Sequence, residues 1–327
     1  MHLVMFFVDG FGLGSEEANP IVAAHTPVID RLLGGHLLWG ERVLSHEQTI
    51  LRPLAASLGV PGVPQSATGQ TTLWTGVNAA KVLGYHLNAY PNETLAKIIA
   101  EKSIFKQLAE RGQKVTFANA FTSVIDQPFF FNASTKKRYS ASTLSALAGG
   151  ARLRRAHDLL EGKAVFQDMV NEIMRERGED VPLFTPFEAG QNLARVCLEH
   201  DFTLYEYFQT DKKGHKQLWP ECVEIVERID SFLGGFFSLV NQEEFVKGEE
   251  VALILTSDHG NIEDFRVKGH TINSVPALCW SNRPLKWPEW NSIEEVTPGI
   301  VKLFIKGERV DGFKAENNGT VGPGGEF

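Results

Sequence analysis

The stretch VALILTSDHGN (residues 251–261) decides how the rest of the chain is read. Its first half is an unbroken apolar run, and such a run without alternation suits a strand covered on both faces, as in a parallel sheet with helices above and below. Its second half turns abruptly to Asp, His, Gly and Asn. Four other runs share the apolar character: LVMFFV (3–8), KVTFANA (114–120), FTLYEYF (202–208) and PALCW (276–280). Between them, TPVIDRLLGG (26–35) and ETLAKIIAEKSIFKQLAERG (93–112) place apolar residues at helical spacing and end on glycine. Strands alternating with helices predict an α/β fold: a layered, mostly parallel sheet with helices on both faces.

In such sheets ligands bind beyond the carboxyl ends of the strands. The first run delivers Asp9 in VDG, the 202–208 run leads into TDKKGHK with Asp211 and His215, and VALILTS delivers Asp258 and His259. His270 stands in KGHT, just before PALCW. Each has an ordinary reading alone, since Asp-Gly is a common turn and an isolated His is usually a satisfied polar group. Together, three Asp and three His at one sheet edge are a donor set for two divalent cations such as Mn²⁺ or Zn²⁺. The segment VPQSATGQTTLWTG (63–76) adds hydroxyls; by itself it is a polar turn opening a helix, with Ser66 as a cap.

Composition narrows the partners. The 327 residues include 32 basic and 40 acidic side chains, a net charge of −8, so no global basic field exists to hold nucleic acid or an anionic membrane. A small ligand is expected, and an anionic one needs a local cation to offset the overall repulsion. Cys197, Cys222 and Cys279 are too scattered for a disulfide framework or a cysteine zinc site, so buried free thiols in a reducing cytoplasm are expected. The N-terminal apolar run reads as a buried strand, because it lacks a basic flank and meets Asp9 quickly; no run approaches the roughly 18 apolar residues of a membrane span.

Residues 1–120 and 196–309 read as the core, 121–195 as a small inserted cap, and 310–327, rich in Gly and Asn, as a flexible tail. Within the insertion, ARLRRAHDLLEGKAVFQDMVNEIMRERG (151–178) reads as a basic helix-like piece. Lys136, Lys137 and Arg138 form one basic cluster, and Arg152, Arg154, Arg155 and His157 another. Lys137, Arg138, Arg154 and Arg155 are candidate ligands for a substrate carboxylate or second phosphate; the alternative is a solvated helix face paired with Asp158.

Asp9 in DGFG, the downstream NPIVAAHTPVIDRL, Ser66 in QSATGQ, Asp211-x-x-x-His215, SDHGN and GHTINSVP together resemble the metalloenzyme core of the alkaline phosphatase superfamily. The branch they are most similar to is cofactor-independent phosphoglycerate mutase, with phosphopentomutase as a cousin. The resemblance implies that Asp9, Ser66, Asp258 and His259 surround one metal, that Asp211, His215 and His270 hold a second, and that Ser66 is the nucleophile, with Thr68 its rival. It implies a phosphatase or phosphodiesterase acting on a small phosphorylated metabolite; the alternatives are a mutase with a reduced cap and a non-catalytic metal-binding protein. The mutases carry Gly-Asn before the serine and His four residues after it, where this chain has Pro64, Gln65 and Gln70.

Overall fold

A computed structural model describes residues 1–122 and 139–305. Its strands, in chain order, are β1 (His2–Val8), β2 (Leu44–His46), β3 (Thr49–Leu54), β4 (Val115–Phe117), β5 (Ala120–Phe121), β6 (Arg154–Arg155), β7 (Phe202–Tyr207), β8 (Val251–Thr256) and β9 (Val275–Ser281). Seven of them form one sheet in the order β2-β3-β9-β8-β1-β7-β4. β4, β7, β1 and β8 run parallel. β9 joins β8 antiparallel, β3 joins β9 antiparallel, and β2 closes a hairpin on β3. The expected α/β layering and mostly parallel sheet hold, with antiparallel pairing confined to this edge.

The unbroken apolar runs have the physical cause that was expected of them. In β1, Val4, Phe6 and Val8 enter one buried cluster while Leu3, Met5 and Phe7 enter the other. Helices Pro27–Leu33, Pro186–Leu198 and Trp219–Val240 cover the first face. Helices Ser66–Thr75, Glu93–Lys102, Ile104–Ala109, Ala141–Ala148 and Val296–Ile305 cover the second. The Phe7 and Trp74 rings meet edge to face at 5.0 Å, tying the helix that opens at Ser66 to the sheet.

Two helical expectations need correction. Residues 93–112 form two helices, because Ser103 leaves helical geometry (ψ 137°), caps the second helix and donates its hydroxyl to the Ser145 carbonyl at 2.7 Å. Residues 151–178 form only short pieces: β6, then helices Ala156–Leu160 and Glu172–Glu176. Their apolar centre is diverted into strand-like pairing, with Val165 bridging Asn119 and accepting from the Ala120 amide.

Residues 186–195, placed in the insertion from sequence, belong to a helix that runs to Leu198 and packs along Trp219–Val240. A Cβ on Gly235 would overlap the Phe187 carbonyl where these helices cross. Gly235→Ala is therefore expected to cost about 1–3 kcal/mol or more through overpacking, read as a lowered urea midpoint. An unchanged midpoint would mean that the crossing is slack.

The segment 123–138, with Lys136, Lys137 and Arg138, and the tail 310–327 lie outside the described residues. Cys197, Cys222 and Cys279 are buried and free. No helix among the described residues is long and apolar enough to cross a membrane.

Candidate metal centre

β7, β1 and β8 are successive parallel neighbours, so the residues that follow them emerge at one edge, about 4.8 Å apart from strand to strand. Asp9 follows β1, Asp211 opens the helix after β7, and Asp258 and His259 follow β8. Because β9 runs antiparallel, its first residue is at this same edge, and His270 arrives there through a Gly260–Thr271 bridge. β3 runs parallel to β1 and ends here too, and residues 55–65 lead from it to Ser66. One hydroxyl, three carboxylates and three imidazoles thus meet, delivered by separate segments.

Asp9, Asp258 and His259 offer donor atoms within 4.8 Å of one another, as do Asp211, His259 and His270. His259 Nε2 is 3.3 Å from Asp9 Oδ1, 3.6 Å from Asp258 Oδ2 and 3.0 Å from Ser66 Oγ. His215 Nε2 and His270 Nε2 are 3.1 Å apart, and lie 3.5 and 3.4 Å from Asp211 Oδ1. The His259 and His270 rings stack at 3.7 Å.

The chemistry of this cluster fits a cation. Asp9 Oδ1 and both Asp258 oxygens are buried with no hydrogen-bond donor. His259 Nδ1 faces the Gly260 carbonyl at 3.3 Å and His270 Nδ1 the Pro64 carbonyl at 2.9 Å. Each Nδ1 must carry the proton to donate there, so in the neutral rings each Nε2 turns a lone pair toward the carboxylates. Lone pairs and carboxylate oxygens facing one another, buried, are unfavourable until a positive ion stands among them.

Ionisation shows the same tension. Burial, then the charges of Asp258, Asp211 and Glu206, push the Asp9 carboxyl well up. Burial also raises Asp258 and lowers His259. When His270 is protonated its Nε2–H donates to Asp211, and that bond, with the one from Asn261, outweighs burial and holds Asp211 far below the usual carboxylate range. For His270 burial is outweighed by its bond to Asp211, and the net shift is upward.

A pH dependence of the metal-free protein follows. Asp9, Asp258 and Glu206 ionise at higher pH folded than unfolded, Glu206 at about 7 because it is buried. Their stabilising contribution is complete below the unfolded values and is lost as pH rises through the folded ones. His259 has the opposite sign, since a ring kept neutral by burial must charge as pH falls below its ordinary 6.5. Metal-stripped protein is expected to lose thermal stability as pH rises from about 6.5, below which His259 acts in the opposite sense, through the Glu206 value of about 7, and added Mn²⁺ to restore more of it at the higher pH. A melting temperature independent of pH over that interval would show that these carboxyls are not strained.

Ser66 is the first residue of its helix and caps nothing: Gln65 is the cap, without a side-chain bond, and Ser66 Oγ turns to His259. The amides of Ser66 and Ala67 have no protein partner among the described residues, whereas the Thr68 amide donates to the Leu87 carbonyl. The Thr68 hydroxyl is occupied as well, donating to the Gln65 carbonyl at 3.1 Å and accepting from the Leu87 amide at 3.2 Å. Gln70 donates to Asp9 Oδ2 at 3.4 Å, in the place where the mutases carry histidine.

The centre opens on a cleft of about 660 Å³ that Asp9, Ser66, Gln70, Asp211 and His215 help to line. Arg154 is not placed in it. Its guanidinium is buried, donating to the Thr116 hydroxyl at 2.9 Å and to the Lys163 carbonyl, and burial lowers its pKa. Arg155 also lies outside the cleft lining; its amide donates to Asp158 and its guanidinium to the Thr122 carbonyl. Arg152 pairs with Asp158 through two bonds of 2.9 and 2.6 Å, as the alternative expects, whereas the buried Arg154 is on no solvated helix face. Among the described residues, Arg177 and Lys212 are the lysine and arginine cations on the cleft, neither singled out from sequence.

Three further residues take their roles only in three dimensions. Glu263 is fully buried and accepts from the Gly12 and Asn261 amides at 3.0 and 2.7 Å, from the Asn273 side chain at 3.0 Å and from the Thr271 hydroxyl. It ties together the loops that carry Asp9, Asp258–His259 and His270. A Cβ on Gly12 would overlap its carboxylate, which explains the spacing in DGFGLG. Asn261 donates to Asp211 Oδ1 at 2.7 Å and orients it. Glu206, held by Ser142 at 2.7 Å, brings a further buried carboxyl to the cleft floor. An acid inside the apolar run FTLYEYF was its only sequence signal.

The fold and this donor set define an alkaline-phosphatase-like metalloenzyme core. Residues 186–306 match the Metalloenzyme superfamily, a span that contains Asp211, His215, Asp258, His259 and His270, while Asp9 and Ser66 lie outside it. More particularly, the chain is similar to the 2,3-bisphosphoglycerate-independent phosphoglycerate mutases of Aliarcobacter butzleri (28% identical over 110 residues, 32% of this chain and 21% of that protein) and Cellvibrio japonicus (31% over 113 residues, 32% and 21%). The matched segment thus spans about a fifth of those relatives. Two solved structures share the fold. One is a Pyrococcus horikoshii protein, with a TM-score of 0.54 at 15% identity over 95% of this chain and 98% of that one. The other is a cold-active alkaline phosphatase from a Shewanella species, with 0.50 at 11% over 94% and 100%. The superfamily resemblance drawn from the motifs is borne out.

Proposed function

We propose that this chain is a two-metal phosphoryl-transfer enzyme that works through a phosphoserine at Ser66 and hydrolyses a small phosphate ester. The observation that carries the reading is the Ser66 hydroxyl at 3.0 Å from His259 Nε2, beside carboxylate oxygens that lack donors. Asp9, Ser66, Asp258 and His259 would hold one cation and Asp211, His215 and His270 the other, Mn²⁺ or Zn²⁺ by the nature of the donors. Bound there, the cations lower the pKa of the serine hydroxyl and offset charge on the transferring phosphoryl group.

Ser66 Oγ gives up its proton to solvent and forms the bond to phosphorus as the bond to the ester oxygen breaks and that oxygen takes up a proton. Water then attacks the phosphoserine phosphorus and loses a proton to solvent as the P–Oγ bond breaks; Oγ takes up a proton, restoring the hydroxyl, and inorganic phosphate leaves. The unpartnered amides of Ser66 and Ala67 suit an anion at the start of this helix. The inserted stretch expected to cap the cleft is short, which favours hydrolysis because an intermediate there stays within reach of water. The partial similarity to phosphoglycerate mutases supports a second reading, a mutase with a reduced cap.

Phosphorus NMR of 3-phosphoglycerate and 2-glycerophosphate, incubated with protein reconstituted with Mn²⁺, Zn²⁺ or Mg²⁺, separates the two. Free phosphate is expected. A 2-phosphoglycerate resonance without free phosphate would replace the hydrolase by a mutase. Tight metal binding with no turnover of any ester would leave a metal-binding protein without catalysis.

A further inference from the structure

We infer that the ester cleaved at this centre carries a planar heterocycle, so that the substrate class is a nucleoside monophosphate whose base rests against Tyr90 and Phe121. The inference deepens the phosphoryl-transfer reading and rests on it. Six of the 22 described residues that line the cleft are aromatic, whereas aromatic residues make up 10% of the chain. Such a concentration is what a ring-bearing ligand needs and what a three-carbon ester does not use.

The rings divide into two groups by burial. Phe117 and Phe166 are buried and form a backing. Phe121 packs edge to face on Phe117, with centroids 6.0 Å apart at 61°, and is only half-buried, so its orientation is fixed while part of it remains accessible. Tyr90, which lines the same cleft, is 44% exposed. An exposed tyrosine beside a catalytic cleft is apolar surface left uncovered by the chain itself. Tyrosine suits this role because it offers a large rigid face at little conformational cost.

The polar groups on the cleft agree. Asn88, Thr143 and Gln167 are neutral hydrogen-bonding side chains on its lining. Gln167 Oε1 is buried without a donor, an acceptor suited to an exocyclic amino group. Lys212 directly follows Asp211, with Nζ 4.3 Å over the Phe208 ring, and so serves the phosphoryl end.

The test is kcat/KM of the metal-loaded protein for AMP, GMP, CMP and UMP against 2-glycerophosphate, by phosphate release. Base stacking on an aromatic side chain is worth roughly tenfold or more. The best nucleotide is expected to exceed 2-glycerophosphate by at least about that factor. Tyr90→Ala is expected to remove about tenfold on the nucleotide and to leave 2-glycerophosphate unchanged, with Tyr90→Phe close to wild type. Equal kcat/KM for both ester classes, or an equal loss on both in Tyr90→Ala, would overturn the inference while phosphoryl transfer stands. No phosphate from any ester would instead sink the phosphoryl-transfer reading, and the inference with it.

Discussion

Ser66→Ala is expected to lower metal-dependent turnover by about 10³-fold or more while leaving the metals bound. The substitution removes one oxygen and nothing that holds the fold, since Ser66 caps no helix and its hydroxyl has its partner in His259. Asp9, Asp258 and His259 stay within 4.8 Å of one another and still offer their donors. Acid quenching during turnover would reveal a phosphoryl adduct on Ser66 by mass spectrometry in the wild type and none in the variant. Thr68→Ala, whose hydroxyl is bound to the backbone around Gln65 and Leu87, is the comparison and should keep most of its rate. A Ser66→Ala protein with full metal-dependent turnover would end the phosphoserine mechanism.

Glu263→Gln is expected to have the largest structural effect of any change that conserves volume. The carboxylate oxygens are not equivalent to an amide here: the Gly12 and Asn261 amides both donate to Oε2, and the Thr271 hydroxyl and Asn273 side chain both donate to Oε1. Whichever oxygen becomes NH₂, it confronts two donors in a fully buried place. Each buried donor left without an acceptor costs about 1–3 kcal/mol, so a loss of about 3 kcal/mol or more is expected. The three loops that Glu263 ties also carry Asp9, His259 and His270, so metal affinity should fall about 10–100-fold, as for other residues that orient metal ligands. Thermal melting and competition with a chelator read the two effects separately. Wild-type melting together with wild-type metal affinity would show that the loops are held by something else.

Much of this architecture was legible along the chain because it rests on local pattern. An apolar run without alternation announces a strand buried on both faces, and the switch to Asp and His after such a run marks the strand's carboxyl end. That reasoning located Asp9, Asp211, His215, Asp258, His259 and His270 before any contact was known. It failed where local pattern and long-range pairing disagree. The apolar AVF of 164–166 carries no sign that it will lie beside Asn119 and Ala120 instead of continuing a helix. Arg154 reads as a surface cation, yet it is turned inward to Thr116 and Lys163 because a guanidinium can satisfy buried acceptors at the end of a long stem.

The sequence by itself determined the layered α/β core and the kinds of atoms at the carboxyl edge of its parallel strands, since hydrophobic periodicity and the residue after each strand are properties of neighbours in the chain. Only the tertiary structure decided that β7, β1 and β8 stand side by side, and so that Asp211, Asp9 and Asp258 share one site. It also decided that β9 turns antiparallel to bring in His270, and that Glu263 fastens the loops beneath them. Pairing order and buried hydrogen bonds join residues as much as 251 positions apart, as between Gly12 and Glu263. They are set by the free energy of the whole packed core, which no short stretch of the chain contains.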